Sequence, residues 1–333
     1  MAGAGVVAAV VAPLWNWVPA EERGLARRTL IYLVLPLVLF ALAWTLSLSL
    51  GSRSPFATRD SVPLSLLAAD VLAVEGAATL PQVFAANGFD LLAVVERNAP
   101  VPRLYFAFLP PDLAALPDED ARKAIFLQVA LPLILLVNDS ILTERDRLRR
   151  LAAILDAGGT LEPRELTWLD GLARRYEGDS ARLDNLLLRV DAVPPSLALA
   201  QAAVESGWGT SNPALEGNAL FGQMTLSLAP GRLRRPAYVV RAFAQLYDSV
   251  RAYVENLDTH PAYAEFRRQR GEMRLAEGGL DGDRLAPALL AYSERGEAYV
   301  ADLRLAIRAN GLTRFDGVRL GTATPARLLV PGR

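Results

Sequence analysis

The segment 200–210 (AQAAVESGWGT) places a carboxylate, Glu205, where a helix must stop. Ser196 is suited to cap a helix over 197–206, Ala198, Ala202 and Ala203 permit close approach of neighbouring helices, and Gly207 and Gly209 end it. Glu205 therefore falls in the last turn. There the negative end of the helix dipole disfavours its ionised form, and burial beside Val204 and Trp208 would act in the same direction. A carboxylic acid still protonated near neutral pH can give its proton to a departing glycosidic oxygen, so this setting points to sugar-bond cleavage. A Glu near a helix end also caps turns or pairs with arginine, and the residue alone does not separate these roles.

Other catalytic groups are scarce. The 333-residue chain has no cysteine, which excludes disulfides, thiolate ligands and thiol nucleophiles. Its one histidine, His260, rules out a two-histidine zinc centre, and no nucleophile-elbow motif accompanies it. His260 precedes a helix and reads as a packing or capping residue. Neither a metal site nor a cofactor is expected. The formal net charge is -1, and the arginines are interspersed with Asp and Glu, so no nucleic-acid partner is expected either.

The elements that must position Glu205 follow from periodicity and breaks. Residues 30–50 (LIYLVLPLVLFALAWTLSLSL) carry no charge and as a helix would span roughly 30 Å, enough for a bilayer. Arg23, Arg27 and Arg28 before this run and Arg53 and Arg59 after it favour a cytoplasmic N-terminus with the remainder outside. The length of the run disfavours cleavage as a signal peptide; a hairpin with the Pro13-interrupted stretch 3–18 would instead leave the remainder cytoplasmic. The expected organisation is a leader and membrane anchor (1–53), a linker and irregular accessory region (54–117), a catalytic domain (118–315) and a C-terminal tail (316–333).

Within the domain, 118–151 predicts one long helix with a possible site of kinking at Pro132. Its apolar run 125–137, bounded by Lys123 and Asn138-Asp139, is too short to cross a membrane and reads as a buried core. Further helices are expected at 162–176 (Thr160 as N-cap, Pro163 in the first turn), 179–190, 246–258, 261–269, 283–296 and 298–309. Residues 221–225 and 237–243 read as a β-hairpin joined through Pro230-Gly231. The predicted class is α+β, mainly α.

At 194–225 (PPSLALAQAAVESGWGTSNPALEGNALFGQMT) the sequence resembles the signature of glucosaminidase-type domains of glycoside hydrolase family 73, in particular the Bax-type proteins of Gram-negative bacteria. The resemblance continues in order through 126–147, 249–267 and 289–303. It implies a lysozyme-like catalytic domain with a small β-hairpin lobe, enclosing a groove for a glycan of N-acetylglucosamine and N-acetylmuramic acid. It assigns Glu205 as the catalytic acid, Gly207, Trp208 and Gly209 as the turn after it, and Asn218 with Phe221-Gly222 as the start of the hairpin. Tyr292 falls where relatives have a groove tyrosine. Trp208, Asn218, Phe221, Gln223, Tyr247 and Tyr292 are the expected substrate-binding residues.

Two departures narrow the mechanism. Some family members carry a second carboxylate on the hairpin, but no Asp or Glu lies between Glu216 and Asp248. Asp248, Glu216 and Glu294 are the candidate replacements; alternatively the 2-acetamido oxygen of the sugar attacks its own anomeric carbon. Met224 stands where a Trp is expected, and Arg232, Arg234 and Arg235 make the hairpin tip basic, suited to an anionic wall polymer. The resemblance thus implies a peptidoglycan hydrolase, an endo-β-N-acetylglucosaminidase acting on glycan strands from an inner-membrane anchor at 30–50, with its domain in the periplasm. A muramidase, a lytic transglycosylase and a catalytically silent wall-binding protein are the alternatives.

Overall fold

The computed structural model describes residues 70–227, 237–276, 279–322 and 326–331. The expected membrane segment at 30–50, the stretch 3–18 and the arginine-bearing hairpin tip lie outside the described residues. Those that are described belong to one compact unit, Pro63–Arg333.

The unit begins with β1 (Asp70–Val74), α1 (Leu80–Ala86), α2 (Leu91–Glu96) and β2 (Leu104–Phe106). Next come α3 (Glu119–Asp156), α4 (Pro163–Arg175), α5 (Leu183–Arg189), α6 (Pro195–Ser206) and α7 (Asn212–Gly217). A hairpin of β3 (Met224–Ser227) and β4 (Ala237–Val240) separates these from α8 (Leu246–Thr259), α9 (Ala264–Leu275), α10 (Gly282–Leu285), α11 (Glu297–Ala309) and β5 (Arg327–Pro331). The architecture is α+β and mainly helical.

Helix α3 is the spine. It runs through Pro132 without a break, and every residue from Ile125 to Asn138 is buried, as a stretch apolar but for Gln128 and Asn138 requires. It is the one described helix long and apolar enough to cross a membrane, yet 78% of its apolar window is buried within the protein, which makes it a core helix. Its polar end then fixes the approach to α6. Asn138 donates to Val193 O (2.8 Å) and accepts from Val193 N–H (3.1 Å), clamping the chain just before the α6 prolines.

The start of α6 differs from the expectation. The helix begins at Pro195 rather than Leu197, and Ser196 lies inside its first turn instead of capping it. The cap comes from far away in sequence: Asp316 accepts from Ser196 N–H (2.8 Å), Ser196 Oγ–H (2.7 Å) and Gly282 N–H (3.2 Å). Proline at the first position has no N–H to satisfy, so a remote carboxylate on the next residue suffices. Burial lifts this carboxyl to about 6, against the pull of the Ser196 bonds.

Elsewhere the helices largely fall where periodicity put them. Helix α4 is preceded by Glu162 rather than Thr160, and α5 starts at Leu183. The continuous helix expected over 283–296 is instead the short α10 followed by a 3-10 stretch, Ala286–Tyr292, with non-helical backbone at Leu289. The hairpin pairs antiparallel, Met224 opposite Val240 and Ser227 opposite Ala237.

A three-stranded parallel sheet was not anticipated. Its order is β1-β5-β2, with Arg327 in register with both Asp70 and Leu104. Residues 327–331, set apart in sequence as part of a tail, are thus its central strand, and the supposedly irregular region supplies both edges. Buried Leu104, Tyr105, Phe106 and Leu329 tie the sheet into the core. Parallel pairing carries no local turn signal, and these strands are short and widely separated in sequence.

Candidate active site

Glu205 sits in the final turn of α6, half-buried. Helix α6 ends because Gly207 adopts a left-handed conformation (φ 58°, ψ 48°), and Trp208 (φ 57°) and Gly209 (φ 78°) continue in positive φ. Trp208 is the costly member, since a side chain there strains against its own backbone. It is held by an edge contact with Phe126 of α3 (5.7 Å) and lies under the Lys123 ammonium (5.4 Å).

The wall behind Glu205 is built from α6, α8 and α11. Gln201 lies one turn before Glu205 and is fully buried. Tyr253 Oη–H donates to Gln201 Oε1 (2.7 Å), Gln201 Nε2–H donates to Tyr299 Oη (3.1 Å), and Tyr299 neighbours Glu205 closely enough to lower its pKa. Phe221 stacks on Tyr253 (3.9 Å, 7°) and Tyr292 stacks on Tyr299 (5.7 Å, 3°), so the hydroxyls of this network are carried on immobilised rings.

The opposing surface is Gly222, at φ +61°. A Cβ there would come within 2.5 Å of Glu205 Oε2, so only glycine lets the strand pass this close to the carboxyl. Burial raises the Glu205 pKa above that of an ordinary glutamate; the Tyr299 hydroxyl and the Arg295 charge pull it partly back. The sequence-based argument named the helix dipole and burial beside Val204 and Trp208, and loss of solvent is the larger cause. Such a group can act as a proton donor in a site from which water is partly excluded.

The structure sorts the other expected site residues. Phe221 (1% exposed) and Tyr247 (3% exposed) are core residues, so their rings offer no platform to a ligand. Tyr292 is half-exposed, and its hydroxyl donates to Phe221 O (2.9 Å), fixing the chain beside Gly222. Asn218 caps α7 in a left-handed conformation and donates to Phe243 O (3.0 Å), so its role is to tie the hairpin's two ends. Among the described residues, Asn218 Oδ1 and Gln223 Oε1 are buried acceptors without a hydrogen-bond donor. Met224 is exposed on the hairpin.

Among the candidate second carboxylates, Glu216 and Glu294 are exposed and Asp248 is half-buried in the first turn of α8. None of them is among the groups that shift Glu205, whose charged neighbour is Arg295. His260 accepts from Ala262 N–H (3.2 Å) and packs on Tyr263, a capping role. Among the described residues no cluster of three or more His, Asp or Glu could hold a metal ion. Tyr299, Gln201 and Tyr253 escaped the reading of the sequence, although the four-residue spacing of Gln201 and Glu205 places both on one helix face.

Comparison with known proteins assigns the class. The family described as Glucosaminidase, mannosyl-glycoprotein endo-beta-N-acetylglucosaminidase, matches residues 185–308, the stretch from α5 to α11 that contains the whole Glu205 network. Protein bax of Escherichia coli (strain K12) is 35% identical over 199 residues, which cover 57% of this chain and 70% of that protein. The chain therefore belongs to the Bax-type glucosaminidase-domain proteins. Among solved structures, the catalytic domain of the autolysin Auto from Listeria monocytogenes aligns over 50% of this chain and 96% of that one, at 17% identity and a TM-score of 0.29. A superposition that loose supports no shared fold.

Proposed function

We propose that this chain is a peptidoglycan hydrolase, an endo-β-N-acetylglucosaminidase of lysozyme-like fold in which Glu205 protonates the leaving oxygen. The observation that carries the reading is the half-buried Glu205 carboxyl, its pKa raised by burial and its Oε2 bordered by the bare Cα of Gly222 within the family-matched region. In the acid form it gives its proton to the glycosidic oxygen as the bond to the anomeric carbon breaks. Gln223 Oε1, buried and lacking a donor among the described residues, suits an N–H or O–H of the sugar, and Trp208 and Met224, which keep exposed surface, lie near Glu205 and Gln223 in sequence, with Tyr292 bonded to Phe221 O.

The nucleophile is supplied by the substrate: with no carboxylate among the described charges acting on Glu205, the 2-acetamido oxygen bonds to the anomeric carbon as the glycosidic bond breaks, and water then adds there, giving its proton back to Glu205. The run 30–50 would tether the enzyme to the inner membrane with its domain in the periplasm, where glycan strands are in reach.

The test is digestion of purified peptidoglycan by the full chain in detergent, with mass spectrometry of the products. Reducing N-acetylglucosamine ends support the reading. Reducing N-acetylmuramic ends would make it a muramidase, anhydro ends a transglycosylase, and absence of products with retained glycan binding a silent wall-binding protein.

A further inference from the structure

The charges around the hairpin are one-sided. Between Glu216 and Asp248 the charged residues are Arg232, Arg234, Arg235 and Arg241, and no acid balances them. Arg241 lies among the described residues, and the strand ladder sets its backbone beside the candidate site. Its N–H donates to Gln223 O (2.7 Å), one rung past the Met224–Val240 pair, and Gln223 directly follows Gly222, whose bare Cα borders Glu205 Oε2. The side chain is preset as well. Its guanidinium lies over the Phe243 ring (4.7 Å), and Phe243 is fixed at both backbone groups: its N–H donates to Gly217 O (2.8 Å) and its carbonyl accepts from Asn218 Nδ2–H (3.0 Å). Among the described residues Arg241 enters no ion pair, and Glu255, which feels its charge, is already bridged to Arg251 (2.7 Å). A half-buried guanidinium stacked on a ring loses little freedom when its N–H edge takes an oxyanion, so it is suited to a carboxylate in two-point contact.

We propose that Arg241 is a specificity-determining residue: it takes a carboxylate carried by an N-acetylmuramic acid of the bound strand, so that the protein prefers acidic wall glycan to neutral sugar polymers. The carboxylate belongs to the attached peptide or, where the peptide has been removed, to the lactyl group. A neutral glycan gives Arg241 only uncharged acceptors, which form weaker bonds than an ionised carboxylate. The inference rests on the peptidoglycan reading, and its readout is binding rather than turnover.

The experiment measures Kd by fluorescence anisotropy for labelled soluble fragments with the full chain in detergent, in a Glu205→Gln background so that no fragment is cut, with and without Arg241→Gln. Three fragments are compared: a strand bearing its peptides, the same strand after amidase treatment, and a neutral N-acetylglucosamine oligomer. Arg241→Gln is expected to weaken binding of the peptide-bearing strand by about 10-fold and of the neutral oligomer by less than about 2-fold, as the loss of one charge-assisted contact predicts. A matching loss on the amidase-treated strand assigns the lactyl carboxylate; a loss confined to the peptide-bearing strand assigns the peptide. Equal weakening of the neutral oligomer, or no weakening of either acidic strand, overturns the proposal. If Arg241→Gln does not fold, Arg241→Lys, which keeps the charge and loses the planar edge, must still weaken an acidic strand by about 3-fold, and no weakening overturns the proposal. Binding of the oligomer but of neither wall strand sinks the peptidoglycan reading and the proposal with it, whereas wall strands bound alike with and without Arg241 sink the proposal alone.

Discussion

Two buried carboxyl sites in this molecule are built from opposite materials. Asp258, on α8, is fully buried with a guanidinium, Arg270 of α9, whose Nη1 lies 2.8 Å from its Oδ1. Arg270 also donates to Asp191 O (3.0 Å) and Leu188 O (2.9 Å), and Arg274 and Arg145 reach the Asp191 carboxylate (2.8 and 3.6 Å). Glu205 instead is half-buried, makes no ion pair among the described residues, and packs against the bare Cα of Gly222. Burial raises both carboxyls, Asp258 to about 7 despite Arg270. The difference lies in access and pairing: a sealed ion cluster gives its proton to nothing and serves to join α5, α8 and α9, whereas an unpaired carboxyl that reaches the surface can transfer one.

The comparison is tested first where it predicts the greatest damage. Arg270→Ala leaves Asp258 buried without its cation and the Asp191 and Leu188 carbonyls without their donor, and is expected to cost about 3–5 kcal/mol in denaturant unfolding. A loss under about 1 kcal/mol would mean the cluster is not a structural joint.

At the other site, Gly222→Ala drives a Cβ onto Glu205 Oε2 and should displace the carboxyl; a turnover loss of about 100-fold is expected with the fold intact by circular dichroism. Unchanged turnover would show that the close approach has no catalytic consequence. Smaller still, Asp316→Ala removes the remote cap of α6 and is expected to lower stability by about 1 kcal/mol, checked by thermal melting.

The pH dependence follows from the same burial. Asp258 and Asp316, raised from 3.8 to about 7 and about 6, bind protons more readily folded than unfolded. Their contribution to stability therefore falls as pH rises from about 4 to about 7. Asp316→Asn should flatten part of that slope in melts across the window; an unchanged slope would contradict the burial argument.

How much of this could be read in advance depends on how local the signal is. Glu205, the glycines that end its helix, the buried run of α3 and the hairpin strands are written in adjacent residues. The buried network behind Glu205 is not: Tyr253 and Tyr299 come from separate helices that only packing brings to Gln201, and aromatic residues at helical spacing read equally well as core. Phe221 and Tyr247, expected to meet sugar, proved to be that core. The parallel sheet and the Asp316 cap were hidden for the same reason, because each joins residues from opposite ends of the domain.

The most direct test of the account is Glu205→Gln in the full chain, assayed for release of soluble glycan fragments from purified peptidoglycan. The substitution keeps the side chain's size and removes its transferable proton. The account predicts a loss of about 10²–10⁴-fold in release rate with unfolding stability equal to or above that of wild type. Release at the wild-type rate from a folded Glu205→Gln protein would contradict it.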